Sequence, residues 1–278
     1  MLRVKVFTDR IARALVLLAA MPVSQAAWAL DMPSFDCIVE PEMLIDLSSA
    51  VNGVVRNVSV DRSDSVRAGQ VLATLVSRVE EAELALAEIR ASLDEEIEAA
   101  RVQNDLAQSK KERVLELFSK QSIPGFEKDE AIAEASLAAL ALKQASNNQR
   151  LAEMALERAR ADLELRSVKS PINGVVVDRF VNPGESVNDR PLFKLAQIDP
   201  MRVEIIAYSE HFGLVRPGMQ AEVIIEGPTE TRHLAKVSIV DNVVDAASGT
   251  FGIRLSLPNP DNKVVGGLKC RAEFPAAD

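Results

Sequence analysis

Phe118-Ser119-Lys120-Gln121-Ser122-Ile123-Pro124-Gly125-Phe126-Glu127 contains the one glycine and the one proline found between Gln70 and Ser170. The chain as a whole holds 12 Gly and 13 Pro, so their absence on either side of this pair is informative. Glycine loses the most backbone entropy in a helix, and proline removes a helical hydrogen bond. Residues from about 78 to 166 therefore read as two long helices joined by one sharp turn at Pro124-Gly125. Ser77 followed by Glu80 predicts a capping box for the first helix. Glu127, Asp129 and Glu130 place negative charge at the positive end of the second.

Heptad spacing predicts that the two helices pair. In the first, Leu86, Arg90, Leu93, Ile97, Ala100, Asn104, Ala107, Lys111, Val114 and Phe118 follow alternating steps of four and three, and seven of the ten are apolar. In the second, Ala131, Ala135, Ala138, Leu142, Ala145, Gln149, Ala152, Leu156, Ala159 and Leu163 do the same with nine of ten apolar. Such a seam is that of an antiparallel coiled coil whose alanines let the axes approach closely. Folding back about Pro124-Gly125 sets Asn104 opposite Ala145 and Gln149 opposite Ala100. At 1.5 Å per residue the hairpin is a rod of roughly 60 Å, longer than a compact core needs.

The segments flanking the rod resemble each other. Gly53-Val54-Val55 matches Gly174-Val175-Val176, Val60 matches Val181, Val66 matches Val187, and Val71-Leu72 matches Leu192-Phe193. Each copy is two short β-branched runs about a polar turn, Asp61-Arg62-Ser63-Asp64 in one and Asn182-Pro183-Gly184-Glu185 in the other. Neither copy is long enough to bury its own apolar face, so the two are expected to pack on each other, with the rod projecting from their junction. Met201 to Phe274 reads as further short strands, divided at Arg216-Pro217-Gly218, Glu226-Gly227-Pro228 and Ser248-Gly249.

Composition narrows the functions available. The 278 residues are 47% hydrophobic but only 4% aromatic, with a net charge of -9. Acidity argues against a nucleic-acid partner, and few rings argue against an aromatic ligand pocket. Two His, His211 and His233, stand apart from Cys or carboxylates at ligand spacing, so no metal site is read. No nucleophile with its base, nucleotide loop or paired-carboxylate signature is present, so the chain is not expected to be an enzyme. Residues 1–29 place Arg3, Lys5, Arg10 and Arg13 before an apolar run from Ala14 to Val23, ending in Ala27-Trp28-Ala29. This is the pattern of a cleaved secretory signal, and its removal would leave the remainder still more acidic in an exported, oxidising compartment.

Two sandwich halves split by a helical hairpin resemble the periplasmic adaptor subunits, or membrane fusion proteins of the HlyD-like family, of bacterial tripartite efflux and secretion systems. The most specific residues are Val66-Arg67-Ala68-Gly69-Gln70-Val71-Leu72, Ser170-Pro171-Ile172-Asn173-Gly174-Val175-Val176, Leu257-Pro258-Asn259-Pro260 and Gly267-Leu268-Lys269-Cys270. The resemblance implies a mixed α and β fold: a biotinyl-lipoyl-like sandwich (47–77 and 167–198), an inserted α-helical hairpin (78–166) and a small antiparallel β-barrel (199–278) joined by residues 30–46. A lipoyl carrier would need a lysine at the tip now occupied by the hairpin. Lys169 lies on the return strand, so no cofactor is expected. The chain runs only a few residues past Phe274, so the membrane-proximal domain of many adaptors is expected to be absent or reduced to residues near 30 to 42.

The resemblance also implies partners. Adaptors that dock on TolC-type outer-membrane channels resemble one another at the hairpin tip in an Arg, a Leu four residues later and a Ser seven beyond that. Arg113 and Leu117 fit the first two positions, and Pro124 replaces the Ser. The other partner would be an inner-membrane exporter, a resistance-nodulation-division pump being favoured over an ABC exporter because no anchor helix is read. Family analogy gives a homo-oligomeric ring of six in the periplasm. It also places Cys37 and Cys270 on neighbouring barrel strands, where a disulfide or two buried thiols are the alternatives. A periplasmic coiled-coil scaffold or binding protein without transport is the alternative function.

Overall fold

The computed structural model describes residues 33–227 and 229–275; the leader expected at 1–29 lies outside them. In chain order the strands and helices are β1 (Phe35–Ser48), β2 (Gly53–Val58), β3 (Ser65–Val66), β4 (Val71–Leu75), α1 (Arg78–Ser92), α2 (Glu95–Ser119) and α3 (Gly125–Glu164). They continue with β5 (Ser167–Lys169), β6 (Gly174–Arg179), β7 (Ser186–Val187), β8 (Pro191–Tyr208), β9 (Gln220–Ile225), β10 (Thr231–Val240), β11 (Thr250–Leu257) and β12 (Lys269–Glu273).

The sequence repeat becomes a pseudo-twofold sandwich. One sheet runs β5-β4-β2-β7, and the facing strands run β1-β8-β6-β3. Each copy completes the other: Gly53 and Val54 pair with Val187 and Ser186, while Gly174 and Val175 pair with Val66 and Ser65. Both copies carry a bulge at the same place, between Val55 and Asn57 and between Val176 and Asp178. The last strands are equivalent one residue away from the sequence match. Val55 pairs with Leu75 and Val176 with Leu195, so Leu72 corresponds to Leu192, because the turn before β8 is one residue shorter than that before β4. Leu72, Leu75, Leu192, Phe193 and Leu195 fill the interface. Gly174 is dictated by that packing, since a Cβ there would collide with the Ala196 carbonyl oxygen.

The long strands β1 and β8 leave the sandwich together and become two staves of a closed six-stranded barrel, β1-β12-β9-β10-β11-β8 and back to β1. Alternation supplies its core: Val203, Ile205, Ile253, Leu255 and Leu257 point inward and are fully buried. Asn259, in the loop after β11, is buried and fully used. Its side-chain amide donates to the Ile198 and Val264 carbonyls, its Oδ1 accepts from Val264 N–H, and its own N–H donates to Asp199. It thus ties the barrel to the crossing from sandwich to barrel. Cys37 and Cys270 face each other on β1 and β12, with Cα atoms 4.8 Å apart and sulfurs joined.

The hairpin departs from the reading of two helices. Its second arm is one unbroken helix of 40 residues, and all ten heptad positions read for it are buried or half-buried. The first arm is interrupted at Leu93 and Asp94, where Leu93 turns extended. Beyond the break Ile97, Ala100, Asn104, Ala107, Lys111 and Val114 face α3 as expected. Before it the stripe shifts phase: Leu84, Ala87 and Ala91 face inward, while Leu86, Arg90 and Leu93 are exposed, Arg90 and Leu93 at the rim of a cleft shared with Ala145, Gln149 and Ala152 of α3. No glycine or proline marks the break. Across it, Gln149 of α3 donates to the Ala91 carbonyl at 2.6 Å and Asn148 donates to Glu96, supplying a partner that the end of α1 lacks.

Candidate partner-docking site at the hairpin tip

The turn is built by a C-terminal cap followed by a proline. Gln121 N–H donates to the Phe118 carbonyl at 2.9 Å and Ser122 N–H to the Leu117 carbonyl at 3.0 Å, the paired bonds of a Schellman motif. Gln121 sits at φ 54°, where glycine is the usual occupant. Pro124 then precedes the first residue of α3 with φ -69° and ψ 156°, which suits a residue that cannot donate an N–H. The turn therefore centres near Ser122 rather than between Pro124 and Gly125. That displaces the register of the arms: Lys110 meets Glu134 at 2.6 Å and Asn148 meets Glu96. By that register Asn104 lies level with Leu140 rather than with the Ala145 expected, and its Oδ1 is buried without a hydrogen-bond partner. Glu134 beside Lys110 holds that ammonium above its ordinary pKa through their hydrogen bond and opposite charge.

Arg113 and Leu117 stand one turn apart on a single exposed face of α2, away from the seam residues Lys111 and Val114. Arg113 makes none of the ion pairs formed among the described residues. Leu117 is nearly half exposed. Pro124 lies beyond the turn, at the head of α3, also exposed. The three residues are thus displayed at one extremity of the molecule, with a forked cation and an apolar side chain on the same face. Nearby, the Lys128 ammonium sits 4.9 Å above the Phe118 ring, fixing the two arms to each other at the tip.

At the other end the rod is clamped to the sandwich. Arg166 donates to Glu80 at 2.5 Å and to the Asn52 carbonyl at 3.0 Å. Glu80 is thereby drawn from the capping box expected of it, because a charged guanidinium partner outcompetes a backbone N–H. Ser77 instead donates to Glu81, whose carboxyl is held below its usual range by that hydrogen bond and by Arg56. The stiff root and the exposed tip are 40 residues of α3 apart, about 60 Å. Sequence reasoning missed Arg166 as a clamp, and the signal for it was slight: one arginine immediately after the helical heptads.

Two half-sandwiches split by a hairpin and followed by a six-stranded barrel define a periplasmic adaptor, a non-enzymatic membrane fusion protein of efflux systems. The chain belongs to this family. The description "CzcB-like, barrel-sandwich hybrid domain" matches residues 44–197 and "CusB-like, beta-barrel domain" matches 203–278. Among curated relatives, the multidrug efflux pump subunit AcrA of Escherichia coli (strain K12) is 27% identical over 61% of this chain and 45% of its own length. The cobalt-zinc-cadmium resistance protein CzcB of Cupriavidus metallidurans is 25% identical over 81% of this chain and 41% of its own. The chain thus spans less than half the length of either relative. The crystal structure of MacA from Actinobacillus actinomycetemcomitans has the same fold, with a TM-score of 0.71 at 20% identity over 87% of this chain and 78% of that one.

Proposed function

We propose that this chain links an inner-membrane exporter to a TolC-type outer-membrane channel and seals the conduit between them. The observation that carries the reading is the exposed pair Arg113 and Leu117 at the far end of a stiff rod whose root is clamped by Arg166. The guanidinium would make forked hydrogen bonds to carbonyls or carboxylates at the channel's open end, and Leu117 would enter a groove between channel helices. Pro124 offers no hydroxyl. Ser122, exposed two residues earlier, is the nearest hydroxyl at the turn.

The exporter is assigned to the resistance-nodulation-division class, supported by the CusB-like barrel of that class. Among the described residues no helix is long and apolar enough to cross a membrane. Copies are assigned to a ring, six by family analogy, through the flanks of sandwich and barrel. The protein would act in the periplasm after cleavage at Ala29, so the secreted form would begin at Leu30 by mass spectrometry. A photocrosslinking probe at Leu117 should capture an outer-membrane channel, and Arg113→Asp should abolish export while leaving the circular dichroism spectrum unchanged. A fully active, normally folded Arg113→Asp protein refutes the tip assignment. A Leu117 probe that captures only periplasmic proteins supports the scaffold instead.

A further inference from the structure

The chain contains two Asn-Gly pairs, Asn52-Gly53 and Asn173-Gly174, and the sandwich repeat sets them in equivalent places. Ser49-Ala50-Val51-Asn52-Gly53-Val54-Val55 and Ser170-Pro171-Ile172-Asn173-Gly174-Val175-Val176 are identical at five of seven positions. Ser49 and Ser170 fold the two bends alike: each hydroxyl donates to the carbonyl two residues on, at 2.6 Å for Val51 and 2.7 Å for Ile172. Gly53 and Gly174 then open a strand and pair across the sandwich in the same way, with Val187 and Val66. Both asparagines are exposed. Local fold and exposure are thus shared, and the two sites differ in their immediate neighbours.

An asparagine that precedes glycine can cyclise. The glycine nitrogen, once deprotonated, bonds to the asparagine Cγ, the Cγ–Nδ2 bond breaks, and ammonia leaves with the proton; glycine has no Cβ to hinder the approach. Water then opens the cyclic imide at one carbonyl to give aspartate, or at the other to give isoaspartate, whose backbone runs through Cβ and Cγ. At Asn173 this reaction is opposed. Its Oδ1 accepts from Ala68 N–H at 3.0 Å, which ties the side-chain amide to the neighbouring turn, and Gly174 is wedged against the Ala196 carbonyl. At Asn52 it is favoured. Among the described residues the Asn52 side chain has no hydrogen-bond partner, and its backbone carbonyl accepts from Arg166 Nη1 at 3.0 Å. That carbonyl belongs to the same peptide as the Gly53 nitrogen. Charge left on the nitrogen when its proton is lost spreads by peptide resonance onto this oxygen, where the guanidinium stabilises it. The guanidinium also reaches the glycine itself, since a Cβ on Gly53 would lie 3.0 Å from Arg166 Nη1.

We infer that Asn52 is a site of self-modification, converted by water to aspartate and isoaspartate with Arg166 promoting the ring closure, and that Asn173 is its protected counterpart. Arg166 also favours one product. In isoaspartate the carbonyl it holds has become a free carboxylate, so the guanidinium exchanges a neutral acceptor for a charged one. Glu80, its present partner at 2.5 Å, then competes with a second carboxylate for the same arginine. The change falls where the hairpin is clamped to the sandwich, so copies that have aged carry an altered root. It requires neither the channel nor the exporter.

The test incubates the purified protein in mildly alkaline buffer and follows two tryptic peptides by mass spectrometry, the one ending at Arg56 for Asn52 and Ser170–Arg179 for Asn173. Isoaspartyl methyltransferase with a labelled methyl donor scores the isoaspartate. In the folded protein Asn52 should convert at least about fivefold faster than Asn173, the factor that one ordinary hydrogen bond sets. In denaturing urea the two rates should coincide, because nearly identical sequences flank the two sites. Arg166→Gln should slow Asn52 alone, and Arg166→Lys, which keeps the charge, should retain most of the wild-type rate. Asn173 in the same digest reports any loosening of the fold by speeding up. If it does so in Arg166→Gln, Arg166→Lys decides: Asn52 fast beside a slow Asn173 supports the inference, and both slow overturns it. Equal rates in the folded wild type, a difference that persists in urea, or an Arg166→Gln protein with Asn52 as fast as before and Asn173 still slow also overturns it.

Discussion

In the barrel Ile205, Ile253, Leu255 and Leu257 are turned inward and fully buried, whereas along the hairpin the fully buried residues are alanines and most of the leucines are exposed. Both regions draw on the same apolar residue types. The barrel closes its sheet on itself, so that alternation sends every second side chain into a sealed core. A two-helix rod has only one narrow seam, and its fully buried positions are alanines, while larger seam residues such as Leu142 and Leu156 stay half-buried at its borders. The barrel therefore buries its own large apolar side chains, and the rod leaves most of its own exposed.

That contrast is broken or sharpened first by truncation. Leu255→Ala should destabilise the barrel by about 2–5 kcal/mol through lost burial and a residual cavity, read as a lower denaturation midpoint in the fluorescence of Tyr208, the one tyrosine of the chain. Leu140→Ala should move the helical transition of the monomer by less than about 0.5 kcal/mol. A large loss at Leu140 in the monomer would mean that this exposed side chain already packs within the copy. Next in size is the link between barrel ends. A bond between Cys37 and Cys270 closes a loop with a sequence separation of 233, so its reduction should cost the barrel about 2–5 kcal/mol and leave the helical transition in place. Alkylation of both thiols in denatured, unreduced protein would show that the bond is not made.

A substitution inside the rod tests the other half of the contrast. Ala138 is buried between the arms, and Ala138→Leu should cost about 1–3 kcal/mol by forcing the axes apart. A neutral result would mean that the seam is loosely packed and that alanine is not required there by space.

How far the sequence could be read follows the same division. The hairpin, the repeat and the barrel were legible because each leaves a periodic signal: step of three and four, step of two, or a fixed offset. The continuous arm was read correctly at every position, from Ala131 to Leu163. The interrupted arm was misread before Leu93, because Leu86, Arg90 and Leu93 continue the heptad in sequence and the break has neither glycine nor proline. What overrides the local pattern there is tertiary: Gln149, on the opposite arm, hydrogen-bonds the carbonyl that the break exposes. The turn was misplaced by a few residues for a related reason. Pro124-Gly125 is the evident signal, yet the first arm stops earlier, at a residue that does not advertise a stop. Arg113 and Leu117 are singled out only by the resemblance, since nothing in their spacing separates them from any solvated helix face.

Gln121 is that residue, and it carries the smallest of the expected effects. Its φ of 54° lies in the left-handed region, where a side chain with a Cβ crowds the backbone by about 1–2 kcal/mol and glycine does not. It lies outside the helices, so the entropy that glycine loses on folding offsets only part of the gain. Gln121→Gly should therefore stabilise the helical transition by about 0.5–1 kcal/mol, raising its midpoint slightly, with Arg113 and Leu117 left in place on the face of α2. Channel capture by a Leu117 probe should be unchanged, since the Schellman bonds from Gln121 and Ser122 involve backbone alone. A lower midpoint would mean that the turn is not left-handed at this position. An unchanged fold with lost capture would instead make the Gln121 side chain itself part of the docking surface.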